Sequence, residues 1–249
     1  MKRLQFGRRA PGRAWYAILW WDVCERVATF LIHLCFGLRM HGRERIPTTG
    51  ALIYVCNHQS FLDPALNAAV VRDRPFRPFA RETLFRGPLG VVIRSLGAIP
   101  VTGGAGDKGS MRAALAELEA GRCILIYPEG GRTFDGGLAA FQSGVSILLK
   151  RSKATVVPIG MDGAFETWPR TSSRPRLRRP IDTEVGNPIE SETLLAGGTS
   201  EALRRLEAEI DELRLRCRAR LRDRYGAAYP PPGIGDRPFA EREGGTDDR

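Results

Sequence analysis

A histidine and an aspartate lie five residues apart in the stretch 57–63, NHQSFLD, and form the first candidate for chemistry. The apolar run at 51–56 predicts a buried strand before them, and residues 60–71 predict a helix with Ser60 as N-cap. Loops that follow strands at the carboxyl edge of a parallel sheet commonly carry the sites of α/β proteins. Asp63 can there fold back to His58, fix its tautomer and support it as a general base. The spacing equally allows Asp63 only to cap its helix while His58 fills a loop.

A turn at 127–133, YPEGGRT, follows a second apolar run and is the other candidate. Gly130 and Gly131 allow a ligand to approach the backbone closely, and Arg132 with exposed N–H groups suits a phosphate. The alternative is a tight turn with a solvated arginine. No G-x-x-x-x-G-K-[ST] loop and no metal-ligand constellation occur in the chain, so the sequence predicts neither a nucleotide phosphate loop nor a metal site.

The elements that must position these residues alternate between strand and helix. Apolar runs predict strands at 51–56, 97–101, 123–127 and 155–159. Helices are predicted between and after them at 60–71, 110–120 (capped by Ser110), 138–150 and 200–224. This alternation predicts an α/β fold with a largely parallel central sheet flanked by helices on both faces.

An apolar segment at 15–38 precedes the α/β pattern and follows a basic arm at 1–14. Its polar residues recur on one narrow helical stripe, and aromatic residues cluster at its start. The stripe consists of Asp22, Glu25, Arg26, Thr29 and His33. Charges near the middle make it a poor spanning helix, so we predict a membrane-associating amphipathic helical segment that is monotopic or re-entrant. The alternative is a helix packed on the domain with its polar stripe facing water.

Composition excludes several classes of protein. The chain has 249 residues, 43% of them hydrophobic, which excludes global disorder. Its five cysteines form no C-x-x-C pair, so neither a zinc framework nor a disulfide scaffold is predicted. The net charge of +10 indicates an anionic partner: nucleic acid, an acidic membrane surface, an acidic carrier protein or a phosphorylated substrate. Part of this charge is a basic loop at 168–180.

Four short blocks, in order over about residues 40–170, resemble the lysophospholipid acyltransferase family, whose best-known members are the 1-acyl-sn-glycerol-3-phosphate acyltransferases. The first is the family's NHxxxxD, and the third is its PEG-x-R-S/T. The second resembles K/R-x-x-L-x-x-x-P-x-x-G, and the last is a V-P-I strand. The matching residues are Asn57, His58 and Asp63; Arg81, Leu84, Pro88 and Gly90; Pro128, Glu129, Gly130, Arg132 and Thr133; and Val157, Pro158 and Ile159.

The resemblance implies the glycerolipid acyltransferase fold and transfer of a fatty acyl group from a thioester to a lysophospholipid hydroxyl. It assigns catalysis to His58 and Asp63. It assigns substrate binding to a second set, in which Arg132 and Arg81 would hold the phosphate and Glu129 would order its loop: Asn57, Arg81, Glu129, Gly130, Gly131, Arg132 and Thr133. It implies no metal and no cofactor, with acyl-CoA or acyl-carrier protein as co-substrate. It also implies a lysophospholipid acceptor, an anionic membrane surface as partner, no nucleic acid, and a membrane-associated location at the cytoplasmic face.

One position departs from the family pattern. Many members carry an arginine a few residues after the second block, associated with the substrate phosphate, where this chain has Gly103. The candidates to supply the charge instead are Arg81, Arg94, Arg112 and Arg132. The acceptor therefore stays open: glycerol-3-phosphate, another lysophospholipid or an ornithine-type lipid are alternatives to 1-acyl-sn-glycerol-3-phosphate. A non-enzymatic basic membrane- or nucleic-acid-binding protein is the alternative from another class.

The chain divides into three expected parts. Residues 1–40 form the basic arm and amphipathic segment, residues 41–226 form the acyltransferase domain, and residues 227–249, rich in proline, glycine and acidic residues, form a disordered tail. Cys56, beside the first block, is interpreted as a core residue of its strand rather than as a nucleophile.

Overall fold

A computed structural model of the chain describes residues 6–71, 73–102 and 107–243. Gly103 therefore lies outside the described residues, as do the first five residues of the basic arm and the last six of the tail. The helices are α1 Phe6–Arg9, α2 Trp15–Phe36, α3 Asp63–Val71, α4 Gly87–Ser95, α5 Lys108–Glu119, α6 Val145–Arg151, α7 Ala164–Thr167, α8 Ser191–Leu195, α9 Thr199–Tyr225 and α10 Phe239–Glu243. The strands are β1 Leu38–His41, β2 Leu52–Cys56, β3 Phe76–Arg81, β4 Ile99–Val101, β5 Cys123–Ile126, β6 Thr155–Asp162, β7 Ile181–Val185 and β8 Ile189–Glu190.

The strands form one sheet in the order β1-β7-β6-β2-β5-β3-β4, with β8 paired to the start of β6. The five strands from β6 to β4 in this order run parallel to one another. Strand β7 is antiparallel to β6, and β1 is parallel to β7. The predicted α/β fold with a largely parallel sheet is confirmed. The sequence pattern missed β1, β3 and the antiparallel β7.

The side chains of the central strand β2 point alternately into two hydrophobic cores, one on each face of the sheet. Leu52, Tyr54 and Cys56 pack into the core that α2 and α3 cover. Ile53 and Val55 pack into the opposite core, which α5, α6, α8 and α9 cover. Successive side chains of a strand point to opposite faces, so a strand buried on both sides reads as a continuous apolar run.

Several element boundaries differ from the predicted ones. Helix α3 begins at Asp63 rather than at residue 60; the Ser60 hydroxyl accepts the backbone N–H of Leu62 at 3.2 Å, and the Asp63 carboxylate accepts those of Gln59 and Ser60. Helix α5 is capped by Asp107 rather than Ser110. The helix predicted at 138–150 is confined to α6, and the residues before it form an irregular loop beside the sheet edge. Residues 138–144 have side chains that a helix also accepts, so their sequence does not distinguish this loop from a helix.

Helix α2 packs Ile18, Trp21, Ile32 and Phe36 against the domain, but the same face also buries two acidic residues. Asp22 and Glu25 are buried against the domain, where Asp22 receives two hydrogen bonds from Arg9 of α1 at 2.6 and 2.9 Å. The solvent-exposed positions carry large apolar side chains: Trp15, Tyr16, Leu19, Trp20, Val23, Val27, Phe30, Leu31 and Leu34. The alternative of a polar stripe facing water is therefore wrong for the two acids, although Arg26 and His33 are exposed. Among the described residues, no helix combines the length and the hydropathy needed to cross a bilayer.

Composition predicted disorder from residue 227, whereas residues 227–243 fold back along α9. Arg218 binds the carbonyl of Pro231 at 2.7 Å and the carboxylate of Asp236 at 2.6 Å. The backbone N–H of Phe239 donates to Asp211 at 2.6 Å, and the Phe239 ring enters the second core. The buried arginines of α9 supply partners that local composition does not reveal.

Candidate active site

Three loops converge at one edge of the sheet because β6, β2 and β5 are adjacent and parallel. Each strand ends at this edge. Residues 57–62 follow β2, residues 127–144 follow β5, and the loop carrying α7 follows β6. The topology therefore brings together the two blocks that the sequence identifies as candidates for chemistry, although about 70 residues separate them.

His58 and Asp63 form a direct hydrogen-bonded pair. Nδ1 of His58 lies 2.7 Å from Oδ2 of Asp63, which is fully buried, while the imidazole is partly exposed. The same Oδ2 accepts the backbone N–H groups of Gln59 at 2.6 Å and Ser60 at 2.8 Å. Asp63 thus holds the loop and the imidazole with one oxygen. With the Nδ1 proton donated to this carboxylate, the lone pair of His58 lies on Nε2.

Tyr127 supports the imidazole from the other side. Its ring is stacked on His58, with centroids 4.0 Å apart and planes inclined by 14°. Its hydroxyl oxygen accepts from the amide of Asn67 at 3.1 Å, which fixes the ring position. Burial raises the pKa of Tyr127 well above 10. The phenol therefore stays protonated and acts as a packing wall rather than as an acid or base in the pair.

Glu129 joins the two candidate loops. Its Oε1 accepts the backbone N–H of His58 at 2.6 Å, and its Oε2 accepts the backbone N–H of Ala139 at 2.8 Å. In return, the carbonyl of His58 accepts the N–H of Thr133 at 2.8 Å. Burial raises the pKa of Glu129 to about 8, against the two backbone hydrogen bonds that lower it. The sequence assigned Glu129 and Thr133 to substrate binding, and here both are engaged in holding the loops.

The side chain of Asn57 binds the protein backbone. Its side-chain amide donates to the carbonyl of Met161 at 3.0 Å and accepts from the N–H of Met161 at 2.9 Å. This pair of bonds fastens the end of β2 to the end of β6. Gln59, which the sequence did not single out, binds the carbonyl of Gly136 at 2.8 Å and Asp162 at 3.1 Å. The two amides flanking His58 therefore anchor its loop on both sides.

Arg132 lines a cleft of ≈ 210 Å³ together with Gly131, Phe134 and Arg170. His58 and Asp63 do not line this cleft, but Glu129 and Thr133 of its wall bond the backbone of His58. Its guanidinium lies over the ring of Phe61 at 3.3 Å. Its Nη1 is buried and makes no hydrogen bond with the part of the chain that the structure describes. Burial, with the charges of Arg170 and Arg81 nearby, lowers the pKa of Arg132. An incoming anion would satisfy the buried donor and offset the repulsion between the arginines.

The four arginines that could replace the family's second-block arginine differ in their position relative to the cleft. Arg81 ends β3 and is close enough to Arg132 to influence it electrostatically. Arg94 instead donates to the carbonyl of Phe85 at 3.1 Å. Arg112 is exposed on α5, and no contact joins it to the cleft. Arg170, which the sequence placed only in a basic loop, donates to the carbonyl of Arg132 at 2.9 Å.

Cys56 has no route to nucleophilic chemistry. It is fully buried at the end of β2, and burial raises the pKa of its thiol well above 9. A thiol nucleophile needs a lowered pKa and access to substrate. Within residues 6–71, 73–102 and 107–243, no group of three or more histidine, cysteine, aspartate or glutamate side chains is placed to hold a metal ion.

The sequence profile described as Acyltransferase matches residues 37–162, which include both loops of the site. The chain belongs to the acyltransferase family. Residues 37–162 contain the His58–Asp63 pair and the loop of Glu129 and Arg132. The predicted resemblance is confirmed.

Similar proteins come from distant organisms. A human 1-acyl-sn-glycerol-3-phosphate acyltransferase beta is 30% identical over 174 residues, 65% of this chain and 59% of that protein. A chloroplastic 1-acyl-sn-glycerol-3-phosphate acyltransferase from Arabidopsis thaliana is 26% identical over 58% of this chain and 41% of that protein. The chain thus spans about half the length of these curated relatives.

The fold also resembles a solved structure. The 1-acyl-sn-glycerophosphate acyltransferase PlsC from Thermotoga maritima superposes with a TM-score of 0.61 at 22% identity, covering 76% of this chain and 78% of that one. At this identity the likeness shows the fold alone, and this acyltransferase-family chain shares the mixed sheet flanked by helices.

Proposed function

We propose that this chain transfers a fatty acyl group from an acyl thioester to the free hydroxyl of a lysophospholipid, with 1-acyl-sn-glycerol-3-phosphate as the acceptor. The observation that carries the proposal is the 2.7 Å hydrogen bond from His58 Nδ1 to the buried Asp63, beside the cleft of Arg132. The acceptor is inferred from the names of the similar proteins together with the arginines of the cleft. Membership of the family argues against a purely non-enzymatic basic protein.

In the proposed reaction, His58 acts as a general base. Nε2 takes the proton of the acceptor hydroxyl as that oxygen attacks the thioester carbonyl, and the imidazolium then returns the proton to the departing thiolate. Asp63 stabilises the imidazolium and keeps Nε2 directed at the substrate, because its Oδ2 is fixed by two backbone N–H groups. General-base catalysis of this kind contributes about 10²–10⁴-fold in rate. The attack is direct, so no acyl-enzyme on Cys56 is involved.

The structure limits which backbone N–H groups can stabilise the oxyanion. The N–H of His58 donates to Glu129, those of Gln59 and Ser60 donate to Asp63, and that of Gly130 donates to the carbonyl of Tyr127. The N–H groups of Gly131 and Arg132 make no hydrogen bond with the described residues, and Gly131 has the more open approach, because a Cβ added there would meet no atom within 4 Å. We assign the oxyanion contact to the N–H of Gly131 on this basis.

The acceptor phosphate is proposed to bind Arg132, with Arg81 and Arg170 contributing charge. Arg132 offers a buried Nη1 donor, and a planar guanidinium matches the geometry of phosphate oxygens. Gly130 has φ of 72°, a conformation that favours glycine, so the turn that presents Arg132 depends on it. The acyl donor is a thioester of coenzyme A or of a carrier protein, used as a co-substrate.

The reaction is proposed to take place at the cytoplasmic face of a membrane, where the lysolipid acceptor and the product reside. The support is the exposed apolar face of α2, with Phe30 66% and Leu34 70% exposed. Trp20 of this face donates to Ser95 Oγ of α4 at 2.9 Å, which places it beside another group of exposed apolar side chains, Leu89, Val91 and Val92. Exposed apolar side chains in such number mark a contact surface, and a lipid interface accommodates them without a protein partner.

The test of the chemistry is the release of thiol from acyl-CoA or acyl-carrier protein in the presence of an acceptor panel. The panel contains 1-acyl-sn-glycerol-3-phosphate, glycerol-3-phosphate, another lysophospholipid and an ornithine-type lipid. We expect the first to be preferred, and His58→Ala to lose at least about 10²-fold in rate while remaining folded. Full activity of that variant would refute the mechanism, and preference for another acceptor would correct the substrate alone.

The test of membrane contact is flotation with lipid vesicles. The double variant Phe30→Ser/Leu34→Ser should bind vesicles more than about tenfold more weakly, because both exposed apolar side chains lose their transfer into lipid. Tyr225→Ser/Ile234→Ser, which removes two exposed apolar side chains outside α2, is the matched control. Equal binding by the two variants would show that α2 does not contact the bilayer.

A further inference from the structure

The basic loop, residues 168–180, carries five arginines and no acidic residue. The side chains of Arg174, Arg176 and Arg178 are exposed and make no ion pair or hydrogen bond with the described part of the chain. By contrast, Arg216 and Arg220 of α9 are each paired with buried or half-buried carboxylates. Three cations in the loop are thus available to an anion from outside the chain.

Two contacts fix where this loop lies. At one end, Nη1 of Arg170 donates to the carbonyl of Arg132 at 2.9 Å, in the wall of the candidate cleft. At the other end, the backbone N–H of Arg178 donates to the carbonyl of Cys35, in the last turn of α2, at 2.7 Å. Arg178 has φ of 59° at that point. The basic loop therefore bridges the mouth of the site and the end of the apolar helix.

Exposed apolar side chains accompany these charges. Leu177, between two of the arginines, is 60% exposed, and Leu34, beside the Cys35 contact, is 70% exposed. Phe134, under the guanidinium of Arg170 at 3.7 Å, is 73% exposed. Apolar tips next to arginines suit the boundary between acyl chains and headgroups, where the apolar group enters the lipid and the guanidinium stays among phosphates.

We propose that Arg174, Arg176 and Arg178 bind the phosphate groups of anionic phospholipids, with Leu177 inserted between the lipids. This inference rests on the proposed membrane-surface reaction and deepens it, because it fixes how the site meets the bilayer. Contact at the basic loop holds the mouth of the Arg132 cleft at the headgroup layer, while α2 enters the apolar layer. An acidic carrier protein would also meet the charge, but the exposed Leu177, next to the Arg178 residue that bonds the last turn of α2, favours lipid.

The experiment compares two triple variants by flotation with vesicles, in the absence of any acyl donor. The test variant is Arg174→Gln/Arg176→Gln/Arg178→Gln. The control variant, Lys150→Gln/Arg151→Gln/Lys153→Gln, removes the same charge from exposed positions just before β6, at the opposite edge of the sheet. A cation near an anionic surface contributes about fivefold in binding. We expect the test variant to bind phosphatidylglycerol-containing vesicles about 10- to 100-fold more weakly, and the control less than about threefold more weakly.

Vesicles of phosphatidylcholine alone distinguish the loss of charge attraction from a general loss of folding or membrane binding. On them the test variant should bind like the unaltered chain, and its thermal unfolding midpoint should be unchanged. Equal binding of the test and control variants to anionic vesicles would overturn the proposal, as would an equal loss on neutral vesicles. Unchanged vesicle binding with weaker binding of an acyl-carrier protein would overturn it in favour of a protein partner. Because no turnover is measured, failure here is distinct from failure of the His58 mechanism, which the thioester assay tests separately.

Discussion

Replacing Asp63 with asparagine separates the charge of this residue from its role in the loop. Oδ2 of Asp63 accepts from His58 Nδ1 and from two backbone N–H groups, those of Gln59 and Ser60. An asparagine of the same shape keeps one oxygen acceptor at this place, so the loop retains its bonds. What the variant loses is the negative charge that stabilises the imidazolium when His58 has taken the proton.

The magnitude follows from the geometry of the pair. With Nδ1 and Oδ2 at 2.7 Å, the two charge centres lie roughly 4 Å apart, where opposite unit charges attract by about 4 kcal/mol at an effective dielectric constant near 20. Asp63 is fully buried and His58 only partly exposed, so water screens this interaction weakly. A transition state less stable by about 4 kcal/mol is reached about 10³-fold more slowly. We therefore expect Asp63→Asn to lower kcat by about 10³-fold.

The assay is thiol release from an acyl thioester with 1-acyl-sn-glycerol-3-phosphate, measured for Asp63→Asn, His58→Ala and the double variant. If Asp63 acts through His58, the double variant is no slower than His58→Ala alone. Thermal unfolding within a few degrees of the unaltered chain confirms that the loop survives. The reasoning is refuted if Asp63→Asn keeps its rate within fivefold, or if the two losses multiply in the double variant.

Three further predictions test the residues around this pair. The pKa of Glu129 is raised to about 8 in the folded chain, so the folded state holds an extra proton and the free energy of unfolding should fall as the pH rises from about 5 to about 8. The total fall in the free energy of unfolding over this pH range should be on the order of 4 kcal/mol. Urea unfolding at several pH values should show that Glu129→Gln removes this pH dependence, and an unchanged pH dependence would contradict the assignment. Gly160→Ala would press a Cβ into Leu213 on α9 and should destabilise by about 1–3 kcal/mol or more in the same assay, whereas Gly131→Ala meets no neighbour and should not. Arg132→Lys keeps the charge but loses the planar donor over the Phe61 ring, so KM for the acceptor should rise about tenfold with KM for the thioester unchanged; a rise for the thioester alone would place Arg132 at the donor.

Most of what identifies the site was readable from short local patterns. The strand that precedes each block is a continuous apolar run, because a parallel strand at the centre of a sheet is buried on both faces. The spacing of His58 and Asp63 across a strand–helix junction predicted their pairing, and the distance of 2.7 Å bears this out. The competing interpretation, in which Asp63 only caps its helix, is half right, because the same oxygen also accepts the backbone N–H groups before α3.

The sequence was least informative where a residue's partner is remote. Asn57 was assigned to substrate binding from the blocks, yet its side chain is engaged with Met161. Glu129 does order its loop as expected, but only the structure shows that it does so by accepting the backbone N–H groups of His58 and Ala139. Gln59 and Tyr127 have no distinguishing local pattern, and only the adjacency of β6, β2 and β5 shows that they fix the imidazole. The same applies to residues 227–243, which are held by buried arginines of α9.

The sequence by itself determined the α/β class, the pairing of His58 with Asp63 and the amphipathic character of the first long helix, because each depends on residues that are close along the chain. Only the tertiary structure decided which way α2 faces. Asp22 and Glu25 turn inward beside Trp21 and Ile32, and Asp22 accepts two hydrogen bonds from Arg9, while a second set of apolar side chains is left outside. Hydrophobic periodicity shows that a helix has an apolar and a polar face, but not which face is buried, since burial depends on what packs against each face. The basic loop shows the same limit. Its sequence indicates only a run of positive charge, whereas the fold shows that it contacts Arg132 of the cleft at one end and α2 at the other.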